Sequence, residues 1–244
     1  MVSIAYFLEF WEIISRAEFV SLALFPPPSK VAIALWEMII TGVLFSDLYA
    51  SLWRLAIGLF LGSVSGIFFG LATGRIKSFA SIFTPIIQIL RPLPPVAIIP
   101  LVIVWFGIDD GAKIFSIAFA VFFPVWINTH IGAEQVPQIF LQSTKLLTKS
   151  KNKIFFKVIF PASLPFSIAG IRIGIAIGFI MVFVSELAGA SSGLGYRISI
   201  AHLSYRIDEM IAVLAVLGAL GAITDQLFVF GINRLYPWIN LSSK

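Results

Sequence analysis

LAIGLFLGSVSGIFFGLAT, residues 55–73, decides the architecture, because no charge interrupts it from Leu55 to Thr73. A helix needs about 20 apolar residues to cross about 30 Å of hydrocarbon. The span therefore reads from about Leu48 to Gly74. Four further stretches meet the same test: Phe79 to Phe106, Ile114 to Ala133, Leu164 to Ala188, and Met210 to Ile232. The piece from Ile4 to Ile14 is apolar but short and holds Glu9 and Glu12, so it reads as an incomplete first span. The expectation is an all-α, polytopic membrane helix bundle with five spans and a shortened N-terminal helix.

Composition leads the same way. Apolar residues make up 59% of the chain and charged ones 12%, and mean hydropathy is +1.00. Ordinary globular domains run near 45–50% apolar and about 25% charged. Lipid is the solvent that such a surface requires. Cysteine is absent and only two histidines occur, which disfavours a disulfide framework and any thiolate or histidine metal centre. No metal, catalytic or cofactor-binding residue is expected in this chain. The first residues lack a basic region, so no cleavable signal peptide is expected.

The net charge of +5 is placed as a topology signal rather than a nucleic-acid patch. Arg75 and Lys77 follow the first secure span. Glu134 to Phe160 carries Lys145, Lys149, Lys151, Lys153 and Lys157 against one acid, and Arg234 and Lys244 mark the C-terminus. These segments alternate with loops bearing Asp109 and Asp110, and Asp208 and Glu209. Lys and Arg stay on the cytoplasmic side in short loops. The lysine-rich segment is thus expected inside, and the loop from Gly189 to Glu209 outside. No nucleic-acid partner is expected.

Gly58, Gly62, Gly66, Gly70 and Gly74 recur every four residues, and Gly170, Gly174 and Gly178 form a second stripe. Small residues at this spacing let helix backbones approach closely in lipid, either as fixed packing or as a sliding surface. Arg91-Pro92-Leu93-Pro94-Pro95 must break its helix. Broken backbone at membrane depth is tolerated inside protein or beside a water-filled cavity. Arg91, Pro92, Pro94 and Pro95 are therefore candidates for a translocation pathway, with Glu186 as an intramembrane acid. Arg172 and Glu186 bracket one span, about 21 Å apart along a helix, and Arg172 reads as an interfacial anchor. Asp225 reads as lying near the cytoplasmic end of the last span, and His130 as a hydrogen-bonded structural residue.

From Pro137 to Pro165 two short helices are expected, Gln138 to Leu147 and Lys153 to Phe160, the second ending at Pro161. This segment resembles the EAA loop of ABC importer permeases, whose pattern is Glu-Ala-Ala, then Gly, then Leu-Pro. Counted back from Pro161, the three positions fall on Gln142, Ser143 and Thr144, and the glycine on Thr148. Phe160-Pro161-Ala162-Ser163-Leu164-Pro165 keeps the pattern. If that glycine is left-handed, threonine there costs about 1–2 kcal/mol. Three more runs resemble the nitrate/sulfonate/taurine-type branch. They are Phe25-Pro26-Pro27-Pro28-Ser29-Lys30-Val31, the Arg91 run with Trp105-Phe106-Gly107, and Ser185-Glu186-Leu187 through Gly189-Ala190-Ser191-Ser192-Gly193-Leu194-Gly195-Tyr196.

The resemblance implies one permease domain over 1–244, with a shortened N-terminal segment 1–30, a core 48–238 and a coupling loop 134–162. It implies a multi-pass protein of the inner (plasma) membrane that moves a small polar solute by ATP-driven alternating access. Nitrate, a sulfonate or taurine, bicarbonate and pyrimidine-like precursors are the candidate solutes. Its implied partners are a second permease copy in a homodimer, two cytoplasmic ABC ATPases that bind ATP and Mg, and an external solute-binding protein. The implied ATPase-coupling residues are Gln142, Ser143, Thr144, Lys145, Leu147, Thr148, Lys149, Lys151 and Pro161. The chain itself lacks a Gly-x-x-x-x-Gly-Lys-Ser/Thr phosphate loop, so it is not expected to hydrolyse ATP.

Two other classes compete. An intramembrane serine protease is one, since Gly189-Ala190-Ser191-Ser192-Gly193 matches Gly-x-Ser-x-Gly, with His202 downstream as a base for Ser191 or Ser192. A secondary transporter or channel without ATPases predicts internal repeats and mid-membrane acids; no clear repeat is present, and the acids cluster at span ends.

Overall fold

The computed structural model describes residues 2–17, 21 and 23–238, apart from the side chains of Val2, Ile4 and Lys145. The described residues form helices and no strand: α1 (Val2–Arg16), α2 (Pro28–Ile40), α3 (Val43–Arg75), α4 (Lys77–Leu90), α5 (Ile99–Phe106), α6 (Asp110–Glu134), α7 (Gln138–Leu147), α8 (Lys151–Ile154), α9 (Phe160–Leu187), α10 (Leu194–Leu203) and α11 (Ile207–Leu235). A 3-10 turn at Pro95–Ile98 precedes α5, and a π turn at Phe155–Ile159 precedes α9. They fall into two compact units, one of Met1–Trp53 with Val182–Ala222, the other of Arg54–Met181 with Ile223–Lys244.

Four continuous segments are long and apolar enough to cross a membrane: Val43–Arg75, Asp110–Glu134, Lys151–Leu187 and Ile207–Leu235. α4 and the Pro95–Phe106 segment make a bent pair, turned by 89°. The second unit fixes how that pair is to be counted. Along α3, Gly58, Gly62, Gly66, Gly70 and Gly74 meet Ile117, Val121, Val125, Thr129 and Ala133 of α6 in that order. The two helices therefore run parallel. Arg54 Nε is 2.8 Å from Asp110 Oδ1 at one end of this pair. Arg75, 21 residues on, is at the other end, about 31 Å away. The chain between them must return across that thickness, so the bent pair is one crossing and the described residues make five spans.

The glycine column is required by close approach. A Cβ at Gly62 would fall 2.6 Å from the Ala118 carbonyl oxygen and one at Gly70 2.6 Å from the Thr129 Cβ. Antiparallel α9 approaches α6 from another side. Gly170 abuts Pro124 and Val125, Gly174 abuts Val121, and Gly178 abuts Leu55 and Val121. Both stripes thus serve one helix, and Ile117, Val121, Val125 and Ala133 are fully buried between them. Without a hydrophobic drive in lipid, this dispersion contact is what holds the helices together. On the α4 side, Ile87, Phe123 and Trp126 form a buried cluster flanked by Phe69, Phe83, Phe119 and Phe122.

In the first unit α1 has 15 residues, too few for a crossing, and it is tied to the start of α2. Glu12 accepts from the Ser29 backbone N–H at 3.1 Å and from its hydroxyl at 2.9 Å, while Ser15 Oγ donates to the Phe25 carbonyl at 2.5 Å. α2 starts with Pro28 in its first turn, where a missing N–H costs nothing. It buries Val31, Ala34 and Met38. Met38, Leu44, Leu194, Ile198 and Val213 form this unit's core.

One helix boundary differs from the sequence reading. The second helix of the lysine-rich segment does not stop at Pro161: α8, the π turn and α9 form one continuous run, Lys151–Leu187. The Phe160 N–H bonds the Phe155 carbonyl, five residues back. That widened turn makes room for the Pro161 ring, which has no N–H to give. The segment from Gly189 to Glu209, expected as a loop, is likewise not irregular throughout, since it contains α10.

Candidate functional site

The lysine-rich segment is the first candidate. α7 spans Gln138–Leu147, the bounds read from sequence. Leu141, Thr144 and Thr148, spaced three and four apart, are half-buried. Ile139, Phe140, Leu146 and Leu147 share the opposite side and are between 55% and 89% exposed. The chain thus leaves a stripe of four large apolar side chains uncovered. Gln142, Ser143, Lys149, Lys151 and Pro161 are exposed around it. Lys145 lies on α7, its side chain outside the described residues.

Thr148, at the glycine position of the EAA pattern, has φ −156° and ψ 141°. This is extended backbone open to any residue, so no left-handed penalty arises. Its hydroxyl accepts from the Ser150 N–H at 3.2 Å, and Ser150 Oγ in turn accepts from the Lys153 N–H at 3.4 Å as the cap of α8. Local polar groups therefore build the α7–α8 corner.

The break in the second span is the next candidate. Arg91 closes α4, with its N–H bonded to the Ile87 carbonyl at 2.9 Å. Arg91, Pro92, Leu93 and Pro94 are exposed and Pro95 is half-buried. The backbone turns here because Pro94 and Pro95 supply no N–H to continue the α-helical ladder.

Glu186 is fully buried, at 1% exposed. Ser51 Oγ is 2.9 Å from both of its oxygens, and the Gly195 N–H donates to Oε2 at 2.9 Å. Around it, Asp47 accepts from the Gly193 N–H at 2.9 Å and from Arg197 Nε at 2.8 Å, and Ser51 Oγ accepts from the Leu194 N–H at 2.8 Å. Three successive amides opening α10 are thus satisfied by side chains of α3 and α9, with carboxylates at the positive end of the helix. Gly193 has φ +117°, and a Cβ there would collide with the Glu186 carboxylate. A Cβ at Gly195 would meet the Phe183 carbonyl at 2.5 Å. This accounts for the Glu186 to Gly195 run in physical terms. Asp47 and Ser51 were not singled out in sequence, since their partners lie some 140 residues away.

Arg172 and Asp225 correct the sequence reading. Their side chains meet as a fork, Nε to Oδ1 at 2.7 Å and Nη2 to Oδ2 at 2.8 Å. Arg172 lies between Gly170 and Gly174, which abut Val125 and Val121, halfway along α6. It is therefore at mid-depth, not at an interface, and it holds Asp225 there with it. His130 has the polar neighbours expected of it: Nδ1 is 3.0 Å from Thr73 Oγ1, which also accepts from Trp126 Nε1 at 3.1 Å. Ser191 and Ser192 precede α10 while His202 is near its far end, eight residues or about 12 Å from Leu194 along the axis.

Five crossings, with α3 and α6 parallel, define a polytopic membrane protein. The family model described as "Binding-protein-dependent transport system inner membrane component" matches residues 58–240, and the chain belongs to that family. It is the membrane-spanning subunit of an ABC importer, multi-pass in the inner membrane. SsuC of Bacillus subtilis, named as an aliphatic sulfonates transport permease protein, is 34% identical over 236 residues, 97% of this chain and 86% of that protein. The taurine transport system permease protein TauC of Escherichia coli is 31% identical over 97% of this chain and 88% of its own. The nitrate import permease protein NrtB of Synechocystis is 32% identical with the same two coverages. Among solved structures, a chain from an amino acid ABC transporter superposes with TM-score 0.66 at 18% identity, covering 82% of this chain and 97% of its own. The methionine transporter MetNI, in an inward-facing conformation, gives 0.64 at 19%, with the same coverages. These two share the fold.

Proposed function

We propose that this permease pairs with a second copy of itself and moves a small polar solute, of the sulfonate, taurine or nitrate type, driven by a separate pair of cytoplasmic ATPases. An external binding protein delivers the solute. The exposed apolar stripe of α7 carries this reading. Ile139, Phe140, Leu146 and Leu147 are uncovered by the chain, on a segment with five lysines. Burying them against a partner groove is favourable by about 25 cal/mol per Å² of apolar area. Gln142, Ser143, Thr144, Thr148, Lys149 and Lys151 flank the stripe and set its register on the ATPase. ATP-driven closure of the ATPases pushes on α7, and the stiff continuous helix from Lys151 to Leu187 passes that motion into the bundle. Arg91 and the kink at Pro92, Pro94 and Pro95 line the passage. The solute class rests on the relatives' names, which concern aliphatic sulfonates, taurine and nitrate.

The test is co-purification of the tagged permease with its cognate ATPase, followed by uptake into vesicles. Leu146→Asp with Leu147→Asp is expected to abolish ATPase capture and uptake while the permease still inserts and melts normally. Undiminished capture would refute the coupling role. Competition among taurine, an alkanesulfonate and nitrate in the same vesicles assigns the solute.

A further inference from the structure

Arg75 ends α3 with Nε and Nη2 buried and without a hydrogen-bond partner in the protein, and Thr84 Oγ1 on α4 is in the same condition. Both line a cavity of about 570 Å³ whose walls include Thr73, Lys77, Ser81 and His130. Glu134 also lines it; its carboxylate is 3.6 Å from His130 Nε2 and attracts the Arg75 guanidinium without hydrogen-bonding its Nε or Nη2. Two buried guanidinium nitrogens without a hydrogen-bond acceptor are costly. The cavity therefore presents donors in want of an acceptor: a guanidinium, a hydroxyl and, at its rim, the Lys77 ammonium.

A second cavity, of about 400 Å³, meets the first at Arg75. Its other walls are apolar: Phe68, Leu71, Ala72, Ile76, Phe79 and Phe155. A cationic socket and a hydrocarbon trough thus share one arginine, at the lysine-rich end of the bundle.

We propose that the two cavities together hold one anionic phospholipid of the cytoplasmic leaflet. Its phosphate lies on Arg75 and Thr84 with Lys77 at the rim, and one acyl chain lies along Phe68, Leu71 and Phe79. Phosphate oxygens match the fork of an arginine, and basic pockets at the cytoplasmic side of helix bundles suit such headgroups. A free oxyanion would use the polar cavity alone and leave the apolar one without a role. Phe155 belongs to the π turn that follows α8, so the lipid would brace the lysine-rich segment against α3 and α4.

The test uses the purified full chain in nanodiscs of phosphatidylcholine with or without phosphatidylglycerol, released for native mass spectrometry. The wild type is expected to retain phosphatidylglycerol and not phosphatidylcholine. Arg75→Gln removes the charged donor and should cut retention about tenfold. Ala72→Phe fills the trough, leaves every polar group in place, and should cut it comparably. A melting curve accompanies each variant, and Ala72→Phe carries the test if Arg75→Gln fails to fold. Equal retention by wild type and both variants would overturn the proposal. So would displacement of the lipid by excess inorganic phosphate combined with unchanged retention in Ala72→Phe, which identifies a soluble-anion site.

Discussion

Arg172 of α9 and Asp225 of α11 share two hydrogen bonds, of 2.7 and 2.8 Å, at the middle of the spanning bundle. Both side chains stay partly exposed on the single chain, at 41% and 37%. Charges at that depth belong against protein or water rather than acyl chains. This face of α9 and α11 is accordingly expected to lie against protein or water rather than lipid.

The pair should behave as a unit. Arg172→Ala and Asp225→Ala are each expected to lower thermal stability in detergent, with a coupling energy on the order of 1 kcal/mol in a double-mutant cycle. Exchanging the residues, Arg172→Asp with Asp225→Arg, should recover part of the loss. Strictly additive single effects would show that the fork contributes nothing.

The glycine column makes a sharper demand. Gly62→Ala would bring a Cβ to 2.6 Å from the Ala118 carbonyl oxygen, and overpacking of this kind costs about 1–3 kcal/mol. Gly111, on α6, has open space around its would-be Cβ, so Gly111→Ala should be neutral or slightly stabilising. Melting curves for the two variants decide this; equal effects would mean that α3 and α6 are not in contact as described.

The cap on α10 predicts a graded series. Glu186→Gln turns one acceptor into a donor beside the Gly195 N–H or Ser51 and should cost about 1–3 kcal/mol. Gly193→Ala should cost more, because its φ of +117° and the Glu186 carboxylate both oppose a side chain. Protease cleavage between Gly189 and Gly193 reports the loosening. Resistance unchanged in both variants would contradict the cap.

Thr148 offers a test of the EAA-like corner. Its extended backbone means that Thr148→Gly relieves no strain; it loses the bond from the Ser150 N–H and gains chain entropy when unfolded. A loss of about 0.5–1 kcal/mol is expected. A gain of stability would reveal a left-handed preference that the structure does not have.

Much of this fold is legible in the sequence, because a crossing helix announces itself by the length of its apolar run. All five runs became crossings, and the proline-rich break after Arg91 is where the second one bends. α2 and α10 were missed because 13 and 10 residues are shorter than any span, so a hydropathy count passes over them. Pairings at long sequence separation were missed for another reason. Nothing local ties Asp47 to Arg197, Arg54 to Asp110, or Arg172 to Asp225. Arg172 reads from sequence as an interfacial anchor because it brackets an apolar run with Glu186; its depth is fixed instead by the register of Gly170 and Gly174 against α6. The bounds of α7 were readable because Pro137 and the polar Thr148-Lys149-Ser150 corner punctuate it.

A cytoplasmic ATPase can grip the lysine-rich segment only if that segment lies on the cytoplasmic side. Because the chain contains no cysteine, single cysteines can be placed without background at two exposed positions, Lys149→Cys and Ser191→Cys. With a membrane-impermeant maleimide, Ser191→Cys should label in intact cells and Lys149→Cys only in inverted vesicles. Labelling of Lys149→Cys in intact cells would contradict the topology and the coupling role built on it.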